Sequence, residues 1–394
     1  MTRPFRRLVL YVPGFDPMPP RRYRELYRRE SGKQAAISGY DLTMQAGAAG
    51  PVWTVEARFP EGEALSRIEV LVWSDLVRAS MTAGIAGTYV QMLRVARLYL
   101  SSGALRRLMR LRRGPVLAAL YPLAMLAGQL LGALLVAGLA GWAAAALTGR
   151  PWLALPCGAA AAWGVLAALR SLDHRLFAYY LMHDYAFTAS RDGAYPPPLE
   201  ARLARFTDSL AQALASDADE VLVVGHSSGA ALAVSMVADL LRGGTRPQGV
   251  ALSLMTLGHV VPMAAFLPGA QRLRADLACL SERPDLFWLD VTAPGDPCSF
   301  ALCDPVAVTG AAGPSQRWPL VLSAAFSRTL SRRQQRDLRW RWFRLHLQYL
   351  CAFERPGDYD YFAITAGPRA LADRFAGRRH SPGRIATPAG PGLP

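Results

Sequence analysis

Apolar positions in this chain alternate between solid runs and helical spacing. Leu8 to Val12 is a short apolar run closed by Pro13-Gly14, the pattern of a buried strand. Trp53 to Phe59 and Ile68 to Trp73 are two further strand candidates around Pro60-Glu61-Gly62, and together they predict a hairpin. From residue 199 the apolar positions Leu199, Leu203, Phe206, Leu210 and Leu214 recur at helical spacing. Val221 to Val224 is again continuous, as in a central parallel strand. A helix-like segment runs from Ala230 to Leu241 and ends at Gly243-Gly244. Val250 to Leu257 and Leu286 to Thr292 predict two more strands. Strands alternating with helices imply an α/β fold, a mainly parallel sheet with helices on both faces.

The middle of the chain breaks this pattern. Residues 114–149 carry no charged side chain, and after Arg150 residues 151–169 carry none. A bilayer core takes about 20 apolar helical residues. The first stretch exceeds that length and the second just meets it. Thr148-Gly149-Arg150-Pro151 predicts a tight turn between them. Gly128 with Gly132, and Ala133, Ala137 and Gly141, place small residues where two helices could approach closely in lipid. A transmembrane helical hairpin is therefore expected over 114–170. A buried helix pair in a soluble protein, or one span with an interfacial second segment, are the alternatives. Arg106, Arg107, Arg110, Arg112 and Arg113 precede the hairpin, Arg170 and Arg175 follow it, and only Arg150 sits in the turn. The positive-inside rule places both flanks in the cytoplasm of an inner-membrane protein. Residues 80–113 mix apolar positions with Arg94 and Arg97 and predict an amphipathic juxtamembrane helix. The chain then divides into 1–79 and 171–378, two parts of one α/β domain, with a Pro/Gly-rich tail over 379–394 expected to be disordered.

Composition narrows the class. Of 394 residues 52% are hydrophobic and 19% charged, which excludes a largely disordered or collagen-like chain. Five cysteines without a CxxC pair argue against a disulfide framework or a metal centre, and fit a reducing compartment. The net charge of +15 comes almost wholly from arginine, since Lys33 is the only lysine. Such a balance suggests an anionic partner. Arginines cluster at 21–29 and 332–344 with no nucleic-acid motif beside them, so a solvated or membrane-facing surface is expected and nucleic acid is not. The run behind Arg3, Arg6 and Arg7 is too short for a secretory signal.

Gly225-His226-Ser227-Ser228-Gly229 fits G-x-S-x-G, between a strand ending at Val224 and a helix beginning after Gly229. That is the strand–turn–helix setting of a nucleophile elbow. A chance Gly/Ser-rich turn is the bland alternative. With this motif and this element order the chain resembles the α/β-hydrolase superfamily, in its lipase and esterase branch, over roughly residues 5–75 and 198–352. The two-span insertion is not part of that common core. The resemblance implies Ser227 as nucleophile, followed along the chain by an acid and then a histidine. Of six histidines, His174 and His183 precede the serine, His226 lies inside the motif and is expected to point away from the serine's partner, and His259 follows too soon. His380 lies in the expected tail, which leaves His346 as general base. Asp296, just past the strand ending at Thr292, is the expected acid, with Asp304 as alternative and Asp290 inside the strand less fitting. The oxyanion hole is expected from the N–H groups of Ser228 and, by resemblance, Phe15, where Pro13-Gly14 stands in place of the His-Gly of many lipases.

The expectation is a membrane-anchored serine hydrolase that cleaves a lipophilic carboxylic ester through an acyl-enzyme on Ser227, with no cofactor and no metal. Its partners would be the lipid bilayer and the ester. Two alternatives stand: a hydrolase-fold membrane scaffold or binding protein without catalysis, and an acyltransferase using the same serine. Oligomeric state is left open.

Overall fold

The computed structural model describes residues 3–47, 50–245 and 249–392. Its strands are β1 (Phe5–Val12), β2 (Asp41–Ala46), β3 (Val52–Phe59), β4 (Gly62–Val70), β5 (Glu220–His226), β6 (Ala251–Leu257), β7 (Phe287–Thr292) and β8 (Leu320–Ser323). They form one eight-stranded sheet in the order β2-β3-β4-β1-β5-β6-β7-β8. Neighbours from β4 to β8 are parallel, while β2 and β3 add an antiparallel edge. The helices that matter for the site are α1 (Arg21–Ser38), α2 (Ile85–Ser101), α3 (Ala104–Leu111), α4 (Arg113–Thr148), α5 (Ala154–Ser171), α6 (Ala178–Ala189), α7 (Pro197–Leu214), α8 (Gly229–Arg242), α9 (Gln271–Ser281), α10 (Arg332–Leu338) and α11 (Trp342–His346). The expected α/β architecture with a mostly parallel sheet is present.

The side-chain period of a strand sorts each solid apolar run onto two faces. Val9, Tyr11, Leu222 and Val224 join the core under α1, with Tyr23, Tyr27 and Phe362. Leu10, Val12, Val221 and Val223 join the core under α7, α8 and α9. Every residue of β5 is buried, which is why the run lacks alternation. At the foot of these strands buried Arg7 pairs with Glu220 at 2.6 Å and donates to the Gly367 carbonyl at 2.7 Å. Glu220 also accepts from Ser253 Oγ and the Leu371 N–H, each at 2.7 Å. Breaking a buried pair leaves one charge stranded and costs about 3–5 kcal/mol. Arg7→Met is therefore expected to lower unfolding stability by about that amount, measured as a reduced urea midpoint with an unchanged slope.

The Arg113–Thr148 and Pro151–Ser171 helices are long and apolar enough to cross a membrane, and only 11% of the most apolar window of each is buried. Leu131, Leu135, Leu139, Trp142, Leu155 and Trp163 all stand exposed. A core helix pair of a soluble protein would bury such side chains. The two helices meet where a Cβ on Gly141 would fall 2.5 Å from the Ala154 carbonyl oxygen, and one on Gly158 would fall 2.8 Å from that of Ala137. The Ala133, Ala137 and Gly141 stripe thus forms the contact as expected. Gly128 and Gly132 face open space and take no part, a correction to the spacing argument.

Two further expectations change. The amphipathic segment over 80–113 is two helices, α2 and α3, parted at Gly103, whose φ of 72° suits glycine. One face is buried through Val95, Tyr99 and Leu108, while Arg94 and Arg97 stay exposed. The sequence reading leaves out two strands: β2 is a mostly exposed edge, and β8 is apolar but only four residues long. The tail is docked: the Asp304 N–H donates to the Ile385 carbonyl at 2.9 Å, and the Ile385 N–H to Leu302 at 2.8 Å. Backbone bonds of this kind leave no trace in composition. Leu393 and Pro394, the end of that tail, lie outside the described residues.

Candidate active site

Ser227 stands between β5 and α8 with φ 58°, a left-handed conformation that a non-glycine residue adopts at a cost on the order of 1–3 kcal/mol. Its N–H donates to the Leu257 carbonyl at 2.9 Å. Both motif glycines are there for space. A Cβ on Gly225 would meet Ala230 Cα at 2.7 Å, and one on Gly229 would meet the Val12 and Pro13 carbonyl oxygens at 2.4 Å. The sharp elbow expected from the pentapeptide is therefore formed by close passage of β1 and α8 around the serine.

His346 ends α11 and is buried, with Nδ1 2.8 Å from Asp296 Oδ2. Asp296 lies in the loop after β7, and its other oxygen accepts from the Cys298 N–H at 2.9 Å. One turn past His346, the Tyr349 hydroxyl donates to Asp296 Oδ2 at 3.0 Å and accepts from the Ala293 N–H at 2.9 Å. Burial pushes the Asp296 carboxyl up, but the charge and hydrogen bond of His346, with the Cys298 N–H, outweigh it and hold it below its ordinary value. His346 Nε2 is buried and has no hydrogen-bond partner among the described residues. Its Cε1 edge lies against Gly258, where a Cβ would come within 3.1 Å. Gly258 directly follows Leu257, which receives the Ser227 N–H. The serine and the free imidazole nitrogen thus share one corner of the sheet, and no hydrogen bond joins them in this structure. Catalytic hydrogen bonds are often loose in the absence of substrate.

The loop after β1 reaches the serine as expected. A Cβ on Gly14 would sit 3.0 Å from Ser227 Cβ. The Phe15 N–H points to the elbow but donates to Ser228 Oγ at 2.9 Å. Ser228 occupies the N-cap position of α8 without a side-chain cap bond, and the Ala230 and Ala231 N–H groups donate to the Ser227 and Ser228 carbonyls at 3.2 Å. Both expected oxyanion donors are therefore at the elbow, one of them engaged by the neighbouring hydroxyl.

The other candidates are placed elsewhere. Asp304 is buried against Arg384, accepts from Gln316 Nε2 at 2.9 Å, and caps a turn through the Val306 N–H at 2.9 Å. Asp290 accepts from Thr256 Oγ1 at 2.6 Å and lies 3.6 Å from His259 Nε2. Burial raises Asp290 and lowers His259 to about 4, so the His259 imidazole is neutral. His380 Nδ1 accepts from the Val321 N–H at 3.1 Å, at the sheet edge.

His226 corrects the sequence reading. It does not point away from the base: its ring lies 4.8 Å from that of His346, and its Nε2 is 3.0 Å from the His346 carbonyl oxygen. Burial first, then His346, lowers His226 to about 3, so it stays neutral and donates to that carbonyl. Sequence reasoning also missed Tyr349 and Gly258, which lack any motif of their own. Cys298 belongs here as well: Asp296, Cys298 and His346 offer ligand atoms all within 4.8 Å of one another, a set that could hold a metal ion. Burial and Asp296 push the Cys298 thiol up, and Asp296 and His346 already satisfy each other, which favours the hydrogen-bonded dyad over a metal centre.

Helix α6 covers the elbow. Tyr180 hydrogen-bonds the Phe15 carbonyl, and the Phe187 ring lies 5.7 Å from Phe15. Asp184 lies between them in sequence, part-buried, without an ion-pair partner among the described residues. Burial pushes its carboxyl up to about 7, against an opposing pull from His346. A carboxyl raised from 3.8 to about 7 is favoured protonated in the folded state, so folding stability falls as pH rises through that window. Asp184→Asn is expected to be more stable than the parent by up to a few kcal/mol at pH 7 and above, with the gap closing below about pH 4. Thermal denaturation of both proteins across pH checks this; a gap independent of pH would contradict it.

Compared with family models, with curated proteins and with solved structures, the chain finds no match.

Proposed function

We propose that this protein is a membrane-anchored serine hydrolase of α/β-hydrolase type that cleaves a lipophilic carboxylic ester. The observation that carries this reading is the 2.8 Å bond from His346 Nδ1 to Asp296, which leaves Nε2 without a partner among the described residues, while the imidazole packs on Gly258, next to the Leu257 carbonyl that receives the N–H of a serine held at positive φ. The order of supply agrees with it: nucleophile after β5, acid after β7, histidine after β8.

In this mechanism Ser227 Oγ attacks the ester carbonyl while His346 Nε2 takes its proton. Asp296 fixes the imidazole with hydrogen on Nδ1 and stabilises the cation that forms. The carbonyl oxygen, now an anion, takes the Phe15 and Ser228 N–H groups, displacing the Ser228 hydroxyl from the first of them. Collapse expels the alcohol, which leaves with the proton from His346. Water then attacks the acyl-enzyme, gives its proton to His346, and releases the acid as Ser227 recovers its hydrogen. The substrate is lipophilic because the α4–α5 hairpin anchors the site beside a bilayer, with the arginine-rich flanks on the cytoplasmic side.

The engaged Phe15 N–H favours one competing reading, a hydrolase fold that serves as a membrane scaffold without turnover. A fluorophosphonate probe separates the two. Wild-type protein labels and Ser227→Ala does not if Ser227 is an activated nucleophile; wild-type protein that stays unlabelled, or Ser227→Ala that still labels, rejects the proposal.

A further inference from the structure

The arginine cluster at 332–344 is left unused by the reaction. Its arginines, Arg332, Arg333, Arg336, Arg339, Arg341 and Arg344, are all exposed, and none forms a salt bridge among the described residues. The single acid in the stretch is Asp337. Trp340 is 77% exposed, with the Arg339 guanidinium 5.3 Å from its ring. A solvated surface helix has no need of an exposed indole among unpaired cations; tryptophan and arginine together suit a membrane interface.

The place of the cluster in the fold supplies the second observation. The Trp342 ring lies 6.0 Å from Tyr121 in α4, and the Phe343 ring lies 4.6 Å from Phe177, just after α5. The Tyr121 hydroxyl donates to the Leu176 carbonyl at 2.8 Å, tying α4 to the short segment that follows α5. At 1.5 Å per residue, a hydrocarbon core of about 30 Å is filled by the last 20 or so residues of α4. Tyr121 precedes that stretch by roughly 12 Å, just beyond a headgroup layer about 5–8 Å thick. Extended arginine side chains from the neighbouring segment bridge that difference.

We propose that residues 332–344 are a second membrane contact, which binds the anionic phospholipid headgroups of the bilayer that receives the hairpin. The proposal rests on the membrane-anchor reading above. Its occupant is chosen by charge complementarity and by continuity with the feet of α4 and α5. Because α11 ends in His346, the contact also holds the segment that carries the base against the membrane surface.

Hydrogen–deuterium exchange on the full chain in nanodiscs tests this, with phosphatidylcholine alone or mixed with phosphatidylglycerol. Peptides over 332–341 are expected to exchange about ten-fold more slowly with phosphatidylglycerol present. The protection should vanish at high salt and in the exposed-surface variant R332Q/R333Q/R336Q/R339Q. Peptides within 129–148 should stay protected in every case. Equal exchange of 332–341 in the two lipids, or protection that survives in the variant, overturns the headgroup contact. Loss of protection in 129–148 instead overturns the anchor reading.

Discussion

Ser227→Ala is expected to lower kcat/KM for a p-nitrophenyl ester by about 10⁴–10⁶-fold, and His346→Ala by a similar factor, with the double variant little worse than either. The non-additivity follows from the geometry. In the proposed mechanism His346 Nε2 has one task, to receive the Ser227 proton, and without the hydroxyl it has nothing to take. Without the imidazole, the hydroxyl keeps its ordinary weak nucleophilicity. Stability should hardly change in Ser227→Ala, since the Ser227 side chain makes no hydrogen bond to the described residues, only its backbone does. Alanine at φ 58° carries a backbone strain similar to that of serine. Circular dichroism and the thermal midpoint of the variants distinguish lost chemistry from lost fold. A product of two independent losses in the double variant would mean that the two residues do not act together.

Asp296→Asn is expected to lower kcat by about 10⁴-fold while leaving ester binding nearly intact. Asparagine keeps the shape and can still accept from the Cys298 N–H. Its amide then presents N–H groups toward His346 Nδ1, which favours the tautomer protonated on Nε2. That nitrogen can no longer accept the serine proton. Tyr349→Phe removes one donor from Asp296 and should cost far less, since the carboxylate keeps His346 and Cys298. Asp304→Asn gives the contrast. It loosens the pair with Arg384 and the docked tail, so it should lower the thermal midpoint while kcat per folded molecule stays near the parental value. If the roles were reversed, with Asp304→Asn silencing turnover and Asp296→Asn tolerated, the acid assignment would be wrong.

Much of the framework could be read from residue order, and the reasons are local. A central strand such as Val221 to Val224 announces itself because both of its faces are buried. The elbow does so because two close backbone passages demand glycine at fixed positions. Asp296 and His346 followed from the chain order that the α/β-hydrolase resemblance implies, and the structure brings them together at 2.8 Å. What escaped depends on contacts between distant segments. The short edge strand Leu320–Ser323 gains its register only from β7. His226 and Tyr349 gain their roles from touching His346 and Asp296, and nothing in their own neighbourhood marks them. Asp184 looks like any polar residue of an amphipathic helix until α6 is folded over Phe15. The docked tail is held by main-chain bonds to Leu302, Val308 and Val321, with His380 and Arg384 adding side-chain contacts to segments distant in sequence.

An experimental structure of the protein inactivated by a phosphonate ester puts the whole arrangement to trial in one step. Phosphorus should be bonded to Ser227 Oγ, with its phosphoryl oxygen in reach of the Phe15 and Ser228 N–H groups and the Ser228 hydroxyl turned away. His346 Nε2 should face the remaining ester oxygen, with Nδ1 still on Asp296. A phosphonate carried by Ser228 or by any other residue, or an imidazole turned away from the adduct, would contradict the assignment of this corner as a hydrolytic centre.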